Sequence, residues 1–190
     1  MNIILASSSP RRQELMARIT PDFCVCAADV DEAAIVRAGP GGPPVLLVQR
    51  LAEAKCRAVA RAHPNAAVIG CDTVVDVDGT VFGKPQNRGD ARRMLRALSG
   101  RAHLVHTGVF LCAGGHETGF ADTTRVHFAP LSRAEIDAYT ATGDSDDKAG
   151  AYGIQSGACK FITGIEGCYF NVMGLPVARV YAALKECGVL

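Results

Sequence analysis

A carboxylate inside an apolar strand is the first residue of this chain that needs a chemical explanation. It is Asp72, in Val68-Ile69-Gly70-Cys71-Asp72-Thr73-Val74-Val75, where the β-branched run predicts a buried strand. An unpaired carboxylate there would be costly, so Asp72 must meet a cation or strong donors, or stand at a strand end facing a cleft. Two readings stand side by side: a structural ion pair, and a carboxylate that holds Mg2+ or activates water. The second candidate is Ser7-Ser8-Ser9-Pro10-Arg11-Arg12. With Ser9 as helix N-cap and Pro10 at the first helical position, unpaired N–H groups would lie beside hydroxyls and two guanidiniums, the makings of a phosphate cradle. Capping alone explains the serines equally well. Glu32, Lys55, Lys84, Asp147-Lys148 and Gln155 lie further apart, and each taken singly reads as a solvated group.

The remaining residue types narrow the chemistry. His103 and His106 fall on opposite faces of a strand and cannot chelate one metal, while His63, His116 and His127 are isolated. Neither a Gly-x-Ser-x-Gly elbow nor a Gly-x-x-x-x-Gly-Lys-Ser/Thr loop occurs. The eight cysteines include no CxxC pair, and Cys24-x-Cys26 lacks a second pair of zinc ligands, so they read as small hydrophobes of a reducing compartment. Of 190 residues, 48% are hydrophobic and 21% charged, and 20 Lys and Arg oppose 19 Asp and Glu. Such a chain is not disordered, and it has no basic field for nucleic acid, so any anion must be caught by a local cluster of cations. Its longest apolar stretches fall far short of the ~20 residues that cross a membrane, and its start has no basic leader. We expect a cytoplasmic protein with neither nucleic acid nor membrane as partner.

Elements that could position these residues follow from the patterning. Ile3-Ile4-Leu5 predicts a buried strand, residues 10–19 a helix with Leu15, Met16 and Ile19 as its stripe, and residues 23–27 a second strand. Gly39-Pro40-Gly41-Gly42-Pro43-Pro44 predicts a surface loop, followed by a long helix marked by Leu47, Leu51, Ala54, Ala58 and Ala62. Residues 66–77 and 80–82 form a hairpin across Asp78-Gly79, and residues 104–112 and 117–128 another across Gly114-Gly115. Between them lies a helix over 88–98. Ser132-Arg133-Ala134-Glu135 is a capping box for a helix stopping at Gly143, residues 150–174 hold two short strands, and a last helix runs from Pro176 to Gly188. Helices and strands that alternate between hairpins give an α/β fold with a mixed sheet, read as one domain over residues 1–190.

Six ordered motifs now add up. Leu5-Ala6-Ser7-Ser8-Ser9-Pro10-Arg11-Arg12, Val30-Asp31-Glu32, Leu51-Ala52-x-x-Lys55, Gly70-x-Asp72-Thr73, Gly83-Lys84-Pro85 and Asp147-Lys148-Ala149-Gly150-Ala151-Tyr152-Gly153-Ile154-Gln155, with Asn171-Val172-x-Gly174-Leu175-Pro176 after them, closely resemble the Maf family of nucleoside triphosphate pyrophosphatases. The resemblance implies a two-lobed α/β fold around a long mixed sheet flanked by helices, similar to the inosine triphosphate pyrophosphatases, with the active site in the cleft. Arg11, Thr73 and Gln155 match the family branch that acts on dTTP and UTP, and on modified uridine triphosphates, at its three specificity positions. The alternatives are a 7-methyl-GTP pyrophosphatase and a non-catalytic nucleotide-binding regulator of septation.

On this resemblance Glu32 and Asp72 hold a divalent cation, Mg2+ with Mn2+ as the alternative, and Asp72 is the general base for water. Lys55 and Lys84 join them as catalytic groups, while Ser9, Arg11, Arg12, Thr73, Lys148 and Gln155 bind substrate. A glutamine amide complements the O4 acceptor and N3–H donor of uracil and thymine, so Gln155 is the expected base reader. The resemblance also implies a homodimer and a role in cleaning nucleotide pools, with a link to cell-division arrest. Cys71, beside Asp72, is expected to make activity sensitive to oxidation.

Overall fold

The structure is a computed structural model that describes residues 1–38 and 42–190. Part of the expected Gly- and Pro-rich loop, residues 39–41, lies outside the described residues. In chain order the elements are β1 (Asn2–Leu5), α1 (Pro10–Ala17), β2 (Phe23–Val25), α2 (Glu32–Ala38), α3 (Pro44–Ala62), β3 (Ala66–Val77), β4 (Thr80–Phe82), α4 (Arg88–Leu98), β5 (Ala102–Ala113), β6 (His116–Phe128), α5 (Arg133–Ala141), β7 (Ile162–Glu166), α6 (Tyr169–Met173) and α7 (Val177–Glu186). The expected mixed α/β fold is present: a seven-stranded sheet in the order β2-β1-β3-β5-β6-β7, with β4 paired to β3. β1 is parallel to both β2 and β3, whereas β3–β4 and β6–β7 are antiparallel. The chain divides into two compact units, one built from 1–72, 107–122 and 174–190, the other from 73–106 and 123–173.

In the first unit the parallel strands carry the argument. From β1 the chain passes through α1 to β2 on one side, then returns through α2 and α3 to β3 on the other. β1 thus has a parallel neighbour on each side, and the turn leaving its C-terminal end starts beside β3, where the Ala6 N–H donates to the Ile69 carbonyl oxygen at 2.8 Å. α3 lies directly on its strands. A Cβ on Gly70 would come within 2.2 Å of the Ala52 carbonyl oxygen, and one on Gly108 within 2.3 Å of that of Val48. The Cys56 thiol also donates to the Val68 carbonyl oxygen at 3.1 Å. The stripe of α3 that faces the core is Val48, Leu51, Ala52, Cys56 and Val59, one step round the helix from the expected 47-51-54-58-62 series. Lys55 borders that buried stripe.

The second unit has its own core, including Val75, Phe82, Leu95, Val105, Phe128, Ile136, Tyr152 and Phe161. The Asp78-Gly79 turn has both residues left-handed (φ 51 and 84), as a two-residue hairpin requires, and the Ser132–Glu135 capping box is formed in both directions. Residues 150–174 depart from expectation: they hold one strand, β7, with two 3-10 turns and the short helix α6 in place of a second strand. A segment so rich in glycine closes turns locally instead of pairing.

His103 is buried on β5, with Nε2 2.8 Å from the Tyr152 hydroxyl and its ring edge-on to Phe128. Burial, aided by the charges of His127 and Arg101, lowers its imidazole from an ordinary 6.5 to about 4. An unfolded chain takes up this proton as pH falls through 6.5, and the folded one does so only near 4. The contribution of His103 is therefore complete above about pH 6.5 and drains away between 6.5 and 4, by up to roughly 3 kcal/mol. Urea denaturation of wild type and His103→Phe over this range should show the wild type losing stability relative to the variant as pH falls; parallel curves would contradict it.

Candidate functional site

Lys55 reaches Asp72 because of where Gly70 lies. Residues 70 and 72 of one strand point to the same face, and that face carries α3, whose turn from Ala52 to Cys56 rests on Gly70. The Lys55 ammonium then lies 2.6 Å from Asp72 Oδ1 and 2.8 Å from Glu32 Oε1. The Lys55 and Asp72 side chains are each only 11% exposed, while Glu32 is 54% exposed. Glu32 owes its position to a cap that sequence reading missed: the Asp31 carboxylate accepts from the Ala34 N–H at 2.8 Å and starts α2 at Glu32. No residue of α2 is buried, so no apolar stripe announces it; the Asp31 cap was the one available signal.

Arg12 completes this group within the same unit. Its Nε donates to the Gly174 carbonyl oxygen at 2.9 Å and its Nη1 to Ser7 Oγ at 3.2 Å, which fixes the plane of the guanidinium. Ser7 Oγ also accepts from the Ser9 N–H at 3.3 Å. Ser9 is indeed the N-cap of α1, but its side chain makes no capping bond, so the hydroxyl that organises this turn is that of Ser7. Arg11, the first charged residue of α1, is half-buried. Cys71 lies among these charges. Burial above all, with Asp72, pushes its thiol up to about 11 against the opposing pull of Arg12 and Lys55. The expected oxidation sensitivity is therefore corrected: a fully buried, protonated thiol is a poor nucleophile toward oxidants.

The second unit holds the other expected residues. Thr73 is half-buried on β3, and Lys84 and Gln155 are exposed on loops. The Gly150 N–H donates to the Gly83 carbonyl oxygen at 3.0 Å, tying the Gly83-Lys84-Pro85 loop to the turn after Lys148. Lys148, expected as a substrate ligand, is engaged by acidic partners in this structure. It is buried, and its ammonium donates to the Asp144 carbonyl oxygen (2.6 Å), Asp144 Oδ1 (3.1 Å) and Asp147 Oδ1 (2.7 Å), a full complement for three N–H donors. Asp144 had no place in the sequence reading. Burial tends to raise its carboxyl, but hydrogen bonds from Ser156, Tyr139 and Lys148 hold it below its ordinary value. His106, also buried, contacts Thr123 Oγ1 (2.8 Å) and Asp76 Oδ2 (3.4 Å), facing away from His103 as the strand spacing requires.

The Glu32 and Asp72 carboxylates are the residues of the first unit that would hold a divalent cation. The donors are carboxylate oxygens, the hard ligands that Mg2+ takes one or two at a time beside substrate phosphates. A cationic group already stands between them in the form of the Lys55 ammonium. Among the described residues no helix is long and apolar enough to cross a membrane.

Comparison with known proteins adds a second line of argument. A family model described as Maf-like protein matches residues 2–187. A dTTP/UTP pyrophosphatase of Koribacter versatilis (strain Ellin345) is 50% identical over 190 residues, covering 100% of this chain and 96% of its own. One of Symbiobacterium thermophilum is 50% identical over 186 residues, covering 98% of this chain and 94% of its own. Among solved structures, the Staphylococcus aureus Ham1 protein superposes with a TM-score of 0.58 at 14% identity, covering 98% of this chain and 99% of that one, a likeness of fold.

Removing Lys55 alone should strand a buried charge. Lys55→Met is expected to cost roughly 3–5 kcal/mol at neutral pH, and Lys55→Met with Asp72→Asn considerably less, because the second change removes the orphaned carboxylate. Equal losses in urea denaturation would refute this account of the pair.

Proposed function

The chain belongs to the Maf-like protein family, and on that premise we propose that it hydrolyses dTTP and UTP to the nucleoside monophosphate and pyrophosphate, cleaning the nucleotide pool. The observation that carries the chemistry is the Lys55 ammonium held between Glu32 and Asp72 beside the arginine-bearing turn, in a chain half identical over its full length to dTTP/UTP pyrophosphatases. Mg2+ dependence, a cytoplasmic location and a homodimeric state belong to the same proposal.

Cleavage between the α- and β-phosphorus asks for charge neutralisation, positioning and an activated water. Glu32 and Asp72 would hold the divalent ion, which when bound supplies positive charge to the phosphate oxygens. Lys55 meets Asp72 at Oδ1, the oxygen that would turn to the cation together with Glu32, and Oδ2 is the one that would take the proton of the attacking water. Arg11, Arg12 and the N–H groups at the start of α1 hold the triphosphate tail, with the guanidinium of Arg12 already oriented by Ser7 and Gly174. In the second unit Lys84 is assigned to charge on the departing pyrophosphate, Thr73 to the shape of the base pocket and Gln155 to the pyrimidine edge. Cytosine reverses the donor and acceptor that Gln155 would meet, and so is disfavoured.

Pyrophosphate release from dTTP, UTP, CTP and 7-methyl-GTP, with and without a chelator, tests the reading directly. We expect release from dTTP and UTP, little from the other two, and none once divalent metal is removed; equal hydrolysis of CTP ends the base-reading argument. Asp72→Asn should lower turnover by roughly 10²–10⁴-fold while nucleotide binding persists, and near-normal turnover would remove Asp72 from the role of base.

A further inference from the structure

The segment that carries Gln155 has an unusual backbone. Gly150 (φ 68) and Ala151 (φ 63) are consecutive left-handed residues, the second at a position where a Cβ is strained. Gln155 itself is exposed. Packing fixes much of the segment: a Cβ on Gly150 would meet Val75 at 2.7 Å, Tyr152 is buried against His103 and Phe128, and Ile154 is buried. At its ends the Ala151 N–H donates to the Lys148 carbonyl oxygen at 3.0 Å and Ser156 Oγ to that of Gly153 at 3.2 Å, and one side chain from outside the segment ties the two ends together. Asp144 Oδ2 accepts from Ser156 Oγ at 2.7 Å and from the Tyr139 hydroxyl at 2.8 Å, while Oδ1 faces the Lys148 ammonium at 3.1 Å. Ser156 directly follows Gln155, and Lys148 precedes the left-handed pair.

We propose that Asp144 is a positioning residue for substrate selection, stapling Lys148 and Ser156 so that Gln155 is presented in one orientation. An anion is needed at this point. Lys148 is nearly buried, and its other acidic partner, Asp147, is 57% exposed against 23% for Asp144, so Asp144 is the better-shielded counter-charge. Tyr139 in turn is braced edge-on against Phe161, which gives the staple a rigid foot in the core of the second unit. Asp144 touches no substrate in this scheme; it acts through Gln155, and so the proposal rests on Gln155 being the reader of the pyrimidine.

The test compares Asp144→Ala, Asp144→Asn, Ser156→Ala and Gln155→Ala for hydrolysis of UTP and CTP, with hydrogen exchange of residues 149–156 as a second readout. Asp144→Ala should reduce the preference for UTP over CTP at least tenfold, mostly through KM, and speed exchange across 149–156. Asp144→Asn, which keeps an acceptor for Tyr139 and Ser156, should recover part of both. Ser156→Ala supplies the same readout in milder form should Asp144→Ala fold poorly. Preference within twofold of wild type in Asp144→Ala and Ser156→Ala, where Gln155→Ala loses it, overturns the proposal. If Gln155→Ala also keeps its preference, the reading of Gln155 falls on its own; exchange then decides whether Asp144 holds the segment, and unchanged protection overturns that as well.

Discussion

Burying Asp72 is costly unless a cation meets it, and Lys55 meets it at 2.6 Å. Much of the first unit can be understood as the means of arranging that encounter. α3 must lie close enough to β3 for a lysine to reach a strand residue, which requires glycine beneath the helix at 70 and again at 108. Glu32 must come to the same ammonium from α2, which requires the Asp31 cap to start that helix where it does. The turn after β1 must deliver Arg12, which requires an acceptor at Ser7 and the Gly174 carbonyl oxygen as anchors. Each condition is local, and together they set positive and negative groups around the C-terminal ends of parallel strands, the ordinary ligand-binding edge of an open α/β sheet.

The second unit solves a different problem. Its segment from Lys148 to Gln155 holds a 3-10 turn at Ala149–Ala151 but no α-helix or strand, so its shape depends on residues chosen for backbone freedom and on side chains that replace ladder hydrogen bonds. Gly153 approaches the Lys148 stem so closely that a Cβ would come within 2.8 Å of it, and Tyr152 donates or accepts at His103 in the core. The Lys148 ammonium, paired with Asp144 and Asp147, ties the start of this segment to the turn before it.

Periodicity exposed the hairpins, the capping box and the strand around Asp72, because each is written in neighbouring residues. The buried face of α3 was displaced by one step, since alanines line both faces of that helix and Val48 and Cys56 mark the true stripe only weakly. α2 escaped altogether because it buries nothing. The site residues were found by motif resemblance, but their roles depend on distances no motif contains: Ser7 in place of Ser9 as the organiser of its turn, and Asp144 as the partner of Lys148. Acidic residues are common on surfaces, so Asp144 became informative only when Tyr139, Ser156 and Lys148 were seen around it.

At Gly70 and Gly108 the helix backbone rests directly on strand backbone, with no side chain to cushion the contact. Sequence drift therefore has nowhere to go at these two positions, since even the smallest added group meets a carbonyl oxygen that cannot swing aside. A lineage could exchange almost every surface residue of α2 and recolour the outer face of α3 while these two hydrogens stayed fixed, and any attempt to tilt α3 on its strands would have to begin elsewhere.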